Sequence, residues 1–287
     1  MGFSWRENRD KKLFFLNKYV NIPIRCQVKK EAPRSFLTID ISIKERFING
    51  FVIRTMSERS TQQYASFTVG STLELTNQQL KCLTRLFRVP VKTLGPGLIG
   101  RSSVTISHLK GIGPVVVKHY TRGGFIRYFL KQRYLRCGRT RGETEFKILQ
   151  EARQIGVSAP EPIAYAFKGG LFYKGWLVSK KIEGQQTLAK LACDNEGRTH
   201  TVMENIIEQI AILIDHRVLH VDLHPGNILI DHANRVFLID FDKARITRKN
   251  RKMLIERYIN RWRRAVIKHQ LPQMLIETLD AGLSNRH

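Results

Sequence analysis

The chain has 287 residues, 42% of them hydrophobic and 9% aromatic, and its 49 Lys or Arg against 24 Asp or Glu give a formal charge of +25. That length and apolar content exclude a disordered chain and allow one large domain or two lobes, each with a real core. The charge points to a polyanionic partner: nucleic acid, anionic lipid headgroups or a phosphorylated substrate.

Cys26, Cys82, Cys137 and Cys193 are widely spaced with no Cys-x-x-Cys pair, so a zinc or redox motif is not expected and a reduced, cytosolic setting is. No apolar run approaches the ~18 residues that a bilayer span needs. The apolar stretch near the N-terminus is too short for a secretory signal. Any membrane contact is therefore expected to be peripheral.

In chain order, "SFLTIDISI" (35–43) and "GFVIRTM" (50–56) have the β-branched content and alternation of strands. "TNQQLKCLTRLF" (76–87) reads as a helix capped by Thr76, with Leu80, Leu83 and Phe87 on one face. From residue 95 the pattern changes. A glycine-rich turn, "GPGLIG", precedes a strand, and "GIGPVVVKHY" is a second turn and strand carrying Lys118. "TRGETEFKILQEARQIGV" is an amphipathic helix with Phe146, Leu149, Ala152 and Ile155 on one face. Thr140 and Glu143 fit a capping box, and Gly156 suits the stop. "GLFYKGWLVSKKIEG" reads as two strands around a turn. Residues 201–218 read as a helix striped by Val202, Ile206, Ile210 and Leu213. "HVDLHPGNILI" and "RVFLIDFD" follow, and then a basic helix with Ile255, Ile259, Trp262 and Val266 facing inward.

The order is the informative part. A glycine-rich hairpin (Gly95, Gly97, Gly100) lets backbone approach an anion closely. A strand Lys (Lys118) at that spacing reaches the α- and β-phosphates of a nucleotide when a helix carboxylate holds it, and Glu145 and Glu143 are the candidates, Glu145 favoured beside the apolar stripe. In "HVDLHPGN", Asp222 suits the proton acceptor or orienter for an attacking hydroxyl. Asn227, with Asp240 of "LIDFD", supplies the hard oxygen donors that Mg²⁺ requires. His220 fits a loop-bonding role. The sequence assigns His224 no role.

Together, "VVVKHYTRGGFIRYF", "RTRGETEFKILQEARQIGVSAPEPIAY" and "HVDLHPGNILID…FLIDFDKARI" resemble the Kdo kinase family, lipopolysaccharide core kinases with a protein-kinase-like fold. The resemblance covers roughly residues 95–250. It implies an α+β, two-lobed fold with a β-rich N-lobe (91–180) and a reduced helical C-lobe (181–287); residues 1–90, which it does not cover, read as a β-rich extension of unassigned role. It also implies phosphoryl transfer from ATP with Mg²⁺ to a hydroxyl of Kdo attached to lipid A. Asp-Phe-Asp in place of Asp-Phe-Gly departs from protein kinases. So do the 45 residues after Asp242, too few for an activation segment and a full helical lobe. Both favour a glycolipid or small-molecule acceptor.

Eight Lys or Arg and no acid lie in residues 118–141, and eleven against the single Glu256 in 243–268. These segments fit an acidic glycolipid and the anionic inner face of the cytoplasmic membrane, at about 1 kcal/mol per basic residue near the surface. Arg122, Gly123 and Gly124 form a basic turn, and Phe125, Tyr128, Phe129 and Tyr134 give that region an interfacial character. Three alternatives remain: another atypical kinase acting on a small molecule or protein, a non-catalytic binder, and a nucleic-acid-binding protein. The last is suggested by charge alone, without a motif.

Overall fold

A computed structural model of the chain describes residues 61–89, 103–120, 134–136 and 138–284, together with one short strand pair, β1 (Phe47–Ile48) and β2 (Phe51–Val52). It divides into two units, 1–55 and 56–287. In the first, β1 and β2 pair antiparallel. The expected strand at 35–43, the glycine-rich turn at 95–100 and the basic turn at 122–124 lie outside the described residues.

The second unit opens with a hairpin, β3 (Thr61–Tyr64) and β4 (Phe67–Ser71), then helix α1 (Asn77–Arg88). The Thr76 side chain accepts from the Gln79 N–H while Gln79 reaches back to the Thr76 N–H, a complete capping box. Next come β5 (Ser103–Leu109), β6 (Gly113–His119), β7 (Tyr134–Leu135) and α2 (Arg141–Gln154). β8 (Pro162–Gly169) and β9 (Phe172–Lys180) complete a seven-stranded antiparallel sheet, ordered β3-β4-β8-β9-β6-β5 with β7 also on β9. "GLFYKGWLVSKKIEG" is thus one strand rather than two, since its nine apolar-rich residues pair along β8 and the turn comes earlier, at Gly169–Leu171.

Residues 61–88 share this sheet and its core, so the extension read at 1–90 does not end at residue 90. β4 pairs β8, and Leu80, Leu83 and Phe87 of α1 pack on Phe67, Val117, Ile163 and Trp176. On the opposite face, Phe146, Leu149 and Ala152 of α2 meet Tyr165, Phe167 and Leu177. The period-2 alternation of the strands sends Trp176 and Val178 to one helix and Leu177 to the other. Covered on both faces, β8 is buried from Pro162 through Phe167.

The caps of α2 are local chemistry. Thr140 accepts from the Glu143 N–H, but the Glu143 carboxylate does not close the box; it lies 3.5 Å from both Arg139 and Lys147. At the far end Gly156 has φ +94°, and Val157 N–H donates to the Ala152 carbonyl at 2.9 Å, as in a Schellman stop. Gly142 permits close docking of the first turn, because a Cβ there would lie 2.6 Å from the Trp176 carbonyl oxygen.

The C-terminal region is helical. β10 (Gln186–Thr187) leads into α3 (Leu188–Asp194) and α4 (Glu196–Asp215), which begins five residues before the expected start because Asn195 caps it. Val202, Ile206, Ile210 and Leu213 are fully buried. β11 (Val218–Leu219), a 3-10 turn (Pro225–Asn227), β12 (Ile228–Ile230), β13 (Val236–Leu238) and β14 (Arg245–Ile246) follow. The chain closes with α5 (Arg251–Lys268) and α6 (Met274–Ser284). A strand-rich N-terminal region and a helical C-terminal region make the α+β class expected from the sequence.

α5 and α6 are pinned by Trp262, which is 1% exposed and donates its indole N–H to the Leu275 carbonyl at 2.9 Å. Trp262→Ala should destabilise the protein by about 3–5 kcal/mol, seen as a lower urea midpoint with unchanged slope. Replacing the exposed Cys193 by Ser should change stability by less than about 0.5 kcal/mol. A wild-type midpoint for Trp262→Ala would refute this packing.

Candidate active site

Two short ladders build the site. β11 pairs β14, and β12 pairs β13. The loop between β11 and β12 carries Asp222 and Asn227; the loop between β13 and β14 carries Asp240, Asp242 and Lys243. Antiparallel pairing at both ends forces the two loops to face each other. Cross-links tighten them: Ile239 N–H donates to the Asn227 carbonyl at 3.0 Å, and His220 Nε2 lies 3.0 Å from the Ile239 carbonyl. Tyr258 of α5 accepts from the His220 N–H and donates to the Val218 carbonyl. His220 is thus a buried member of the loop, its ring edge-on to Phe241 with centroids 4.6 Å apart. Asp240 sits at φ +65°, a left-handed conformation rare for a non-glycine residue and held here by this framework.

Lys118 on β6 meets this loop. Its Nζ donates to both Glu145 oxygens at 2.8 and 2.9 Å and to Asp240 Oδ1 at 2.6 Å. Of the two candidate carboxylates on α2, Glu145 is therefore the partner, and Glu143 is taken up by Arg139 and Lys147. Tyr120 adds a hydrogen bond to Glu145 Oε2 at 2.6 Å. Burial works against the Lys118 charge, but the Glu145, Asp240 and Asp242 carboxylates outweigh it and hold the ammonium above the ordinary lysine range. Burial likewise opposes ionisation of Asp240, and Lys118 overcomes it, holding that carboxyl below its usual value.

Asp222 has a different setting. Lys243 Nζ is 2.9 Å from its Oδ2 and Arg261 Nε is 3.8 Å from its Oδ1. Asn227 is 5% exposed and spends an amide N–H on the Asp222 carbonyl at 3.0 Å. Its amide oxygen is the group left for a cation. Asn227 and Asp240 are hard oxygen donors, a set that fits Mg²⁺ completed by phosphate and water oxygens.

Sequence reasoning missed a second ion pair. Arg141, in the first turn of α2, makes a bidentate bond to Asp242, with Nε to Oδ1 at 2.5 Å and Nη2 to Oδ2. Its Nη1 donates to Tyr134 OH and its backbone N–H to Tyr173 OH, both at 2.8 Å. The Asp-Phe-Asp departure was visible; its partner, 101 residues earlier, was not. His224 also gains a role: its Nδ1 accepts the Gly226 N–H at 3.0 Å and so caps the turn that carries Asn227. A Lys there could not accept.

The model of the lipopolysaccharide kinase (Kdo/WaaP) family matches residues 100–282. The chain belongs to that family. Similar proteins named 3-deoxy-D-manno-octulosonic acid kinase include those of Xylella fastidiosa (strain 9a5c), 34% identical over 46% of this chain and 53% of that one, and Vibrio parahaemolyticus serotype O3:K6 (strain RIMD 2210633), 33% identical over 54% and 67%. That of Vibrio vulnificus (strain CMCP6) is 37% identical over 45% and 55%. The matched segment thus spans between about half and two thirds of these relatives.

Burial lowers the imidazole of His119, which accepts the Trp176 indole N–H at 3.0 Å, to about 4. Burial, with Arg261 and His269, also takes His224 to about 4, and burial lowers His220. Unfolded histidines titrate near 6.5. Between these values the unfolded chain binds protons that the folded one does not, so stability should fall as pH drops from about 6.5 to about 4. Glu145, pushed up by burial, acts in the opposite sense, so variants isolate the histidine share. The urea midpoint of His119→Asn and His224→Asn proteins should vary less over that window than the wild type's. An equal slope would exclude the histidines as its source.

Proposed function

We propose that this chain transfers the γ-phosphoryl group of ATP to a hydroxyl of Kdo, the sugar acid 3-deoxy-D-manno-octulosonic acid, attached to lipid A in the lipopolysaccharide inner core. The observation that carries the reading is the three-way pairing of Lys118 with Glu145 and Asp240, whose loop is hydrogen-bonded to the loop of Asp222 and Asn227. It agrees with family membership and with the names of the relatives. In this reading the lobe that binds the nucleotide includes residues 91–180 together with the strands and helix of 61–88 that share its sheet, with Gly95, Gly97 and Gly100 over the phosphates, and residues 181–287 carry the chemistry.

Lys118, steadied by Glu145, holds the α- and β-phosphates. Asp222 takes the proton of the acceptor hydroxyl as the new oxygen–phosphorus bond forms and the bond from the γ-phosphorus to the bridging oxygen breaks, releasing ADP. Asn227 and Asp240 would hold Mg²⁺, which when bound would neutralise phosphate charge. The protein's contribution is otherwise positioning.

The acceptor is acidic and membrane-bound, and two surface features support that. α5 and the segment before it are dense in Lys and Arg, and Ile246, Met253 and Ile267 among them are exposed. No helix among the described residues is long and apolar enough to cross a membrane. Peripheral attachment to the cytoplasmic face of the inner membrane fits both.

With labelled ATP, phosphate should pass to Kdo–lipid A and not to protein or free amines; transfer to protein instead would overturn the acceptor. Asp222→Ala should lower kcat by about 10²–10⁴ while nucleotide binding persists. Full activity in that variant would remove Asp222 from the chemistry.

A further inference from the structure

The cations around Asp222 are unequal in freedom. Lys118 is shared between Glu145 and Asp240, and Arg141 is bound through two nitrogens to Asp242. His224, two residues after Asp222, uses Nδ1 as an acceptor for the Gly226 N–H and stacks near His269 at 6.5 Å. An imidazole bonded that way is neutral and supplies no charge. Arg261 stands farther off, at 3.8 Å, and its side chain is 28% exposed. Lys243 is closest to Asp222, at 2.9 Å, and its side chain is 58% exposed.

We propose that Lys243 is a catalytic cation, whose ammonium contacts the γ-phosphoryl group as it passes from nucleotide to acceptor. The proposal rests on the phosphoryl-transfer reading above. A group bonded to Asp222 Oδ2 stands beside the place where the acceptor hydroxyl meets that carboxylate, and so beside the phosphorus under attack. Lys243 is delivered there by the backbone. It lies in a turn closed by Ala244 N–H to the Phe241 carbonyl at 2.9 Å, three residues after Asp240, and β14 ties the next residues to β11 just before Asp222. Its Cα is thereby fixed relative to both carboxylates, while the exposed four-carbon stem lets the ammonium swing from Asp222 to the phosphoryl oxygens. Charge on those oxygens must be met in the transition state. With His224 committed to capping, the cation comes from the loop after Asp240 instead of the loop after Asp222.

The test uses the full chain with Mg²⁺ and compares Lys243→Met and Lys243→Arg with wild type. Lys243→Met should lower kcat for transfer to Kdo–lipid A by about 10²–10³, with partial recovery in Lys243→Arg. Calorimetry should show Lys243→Met binding the β,γ-imido analogue of ATP roughly tenfold more weakly and ADP as before, because only the former offers a γ-group. A variant that loses kcat with both affinities unchanged would make Lys243 a brace for Asp222 and overturn the proposal, as would retention of wild-type kcat. The affinity comparison needs no acceptor. It therefore reads Lys243 even if transfer to Kdo–lipid A is not observed: an altered preference for the γ-bearing analogue supports the contact, and an unaltered one overturns it.

Discussion

One ammonium group ties the site-bearing parts of this molecule together. Lys118 lies on β6, Glu145 on α2 and Asp240 on a loop 122 residues after Lys118, and the ammonium reaches both carboxylates within hydrogen-bond distance. Taking such charges out of water is costly, and the arrangement holds only when geometry is good and the remaining polar atoms are satisfied. Glu145 meets both demands, with two contacts to Lys118 and one from Tyr120. A displacement of β6, α2 or the Asp240 loop would leave a charge buried without a partner.

Arg141 and Asp242 form a second strut between the same two regions. One end is the first turn of α2 and the other lies two residues beyond Asp240. The paired guanidinium and carboxylate fix direction as well as distance, because the planar fork matches the carboxylate in one orientation. An Asp where protein kinases carry a glycine is therefore intelligible: it holds the helix bearing Glu145 against the loop bearing Asp240. Asp222 in contrast meets Lys243, the most exposed of these cations at 58% of its side chain, where a reacting group can be exchanged for another.

Much of this was legible because it depends on local chemistry. Thr76 and Thr140 cap their helices, and Gly156 ends α2 in the left-handed region. The apolar stripes of α4 and α5 face inward, since a 3.6-residue period must bury one face. Where reading failed, the deciding contact was distant. Residues 61–71 join the sheet because β4 finds β8, about a hundred residues later. Glu143 leaves the expected capping box for Arg139 and Lys147, which compete for the same carboxylate. α6 went unread, and its place is set by packing on α4 and α5 rather than by a cap signal.

The sequence by itself determined the class of fold, the order of its elements and the side chains available for phosphoryl-transfer chemistry, because periodicity, capping and motif spacing act over a few residues. The tertiary structure decided the pairings: Glu145 rather than Glu143 for Lys118, Arg141 for Asp242, His224 as a cap and Lys243 beside Asp222. Charged side chains of one type are interchangeable to a linear reading. Only the closing of the sheet and of the two small ladders determines which of them come within 3 Å and which stay in water.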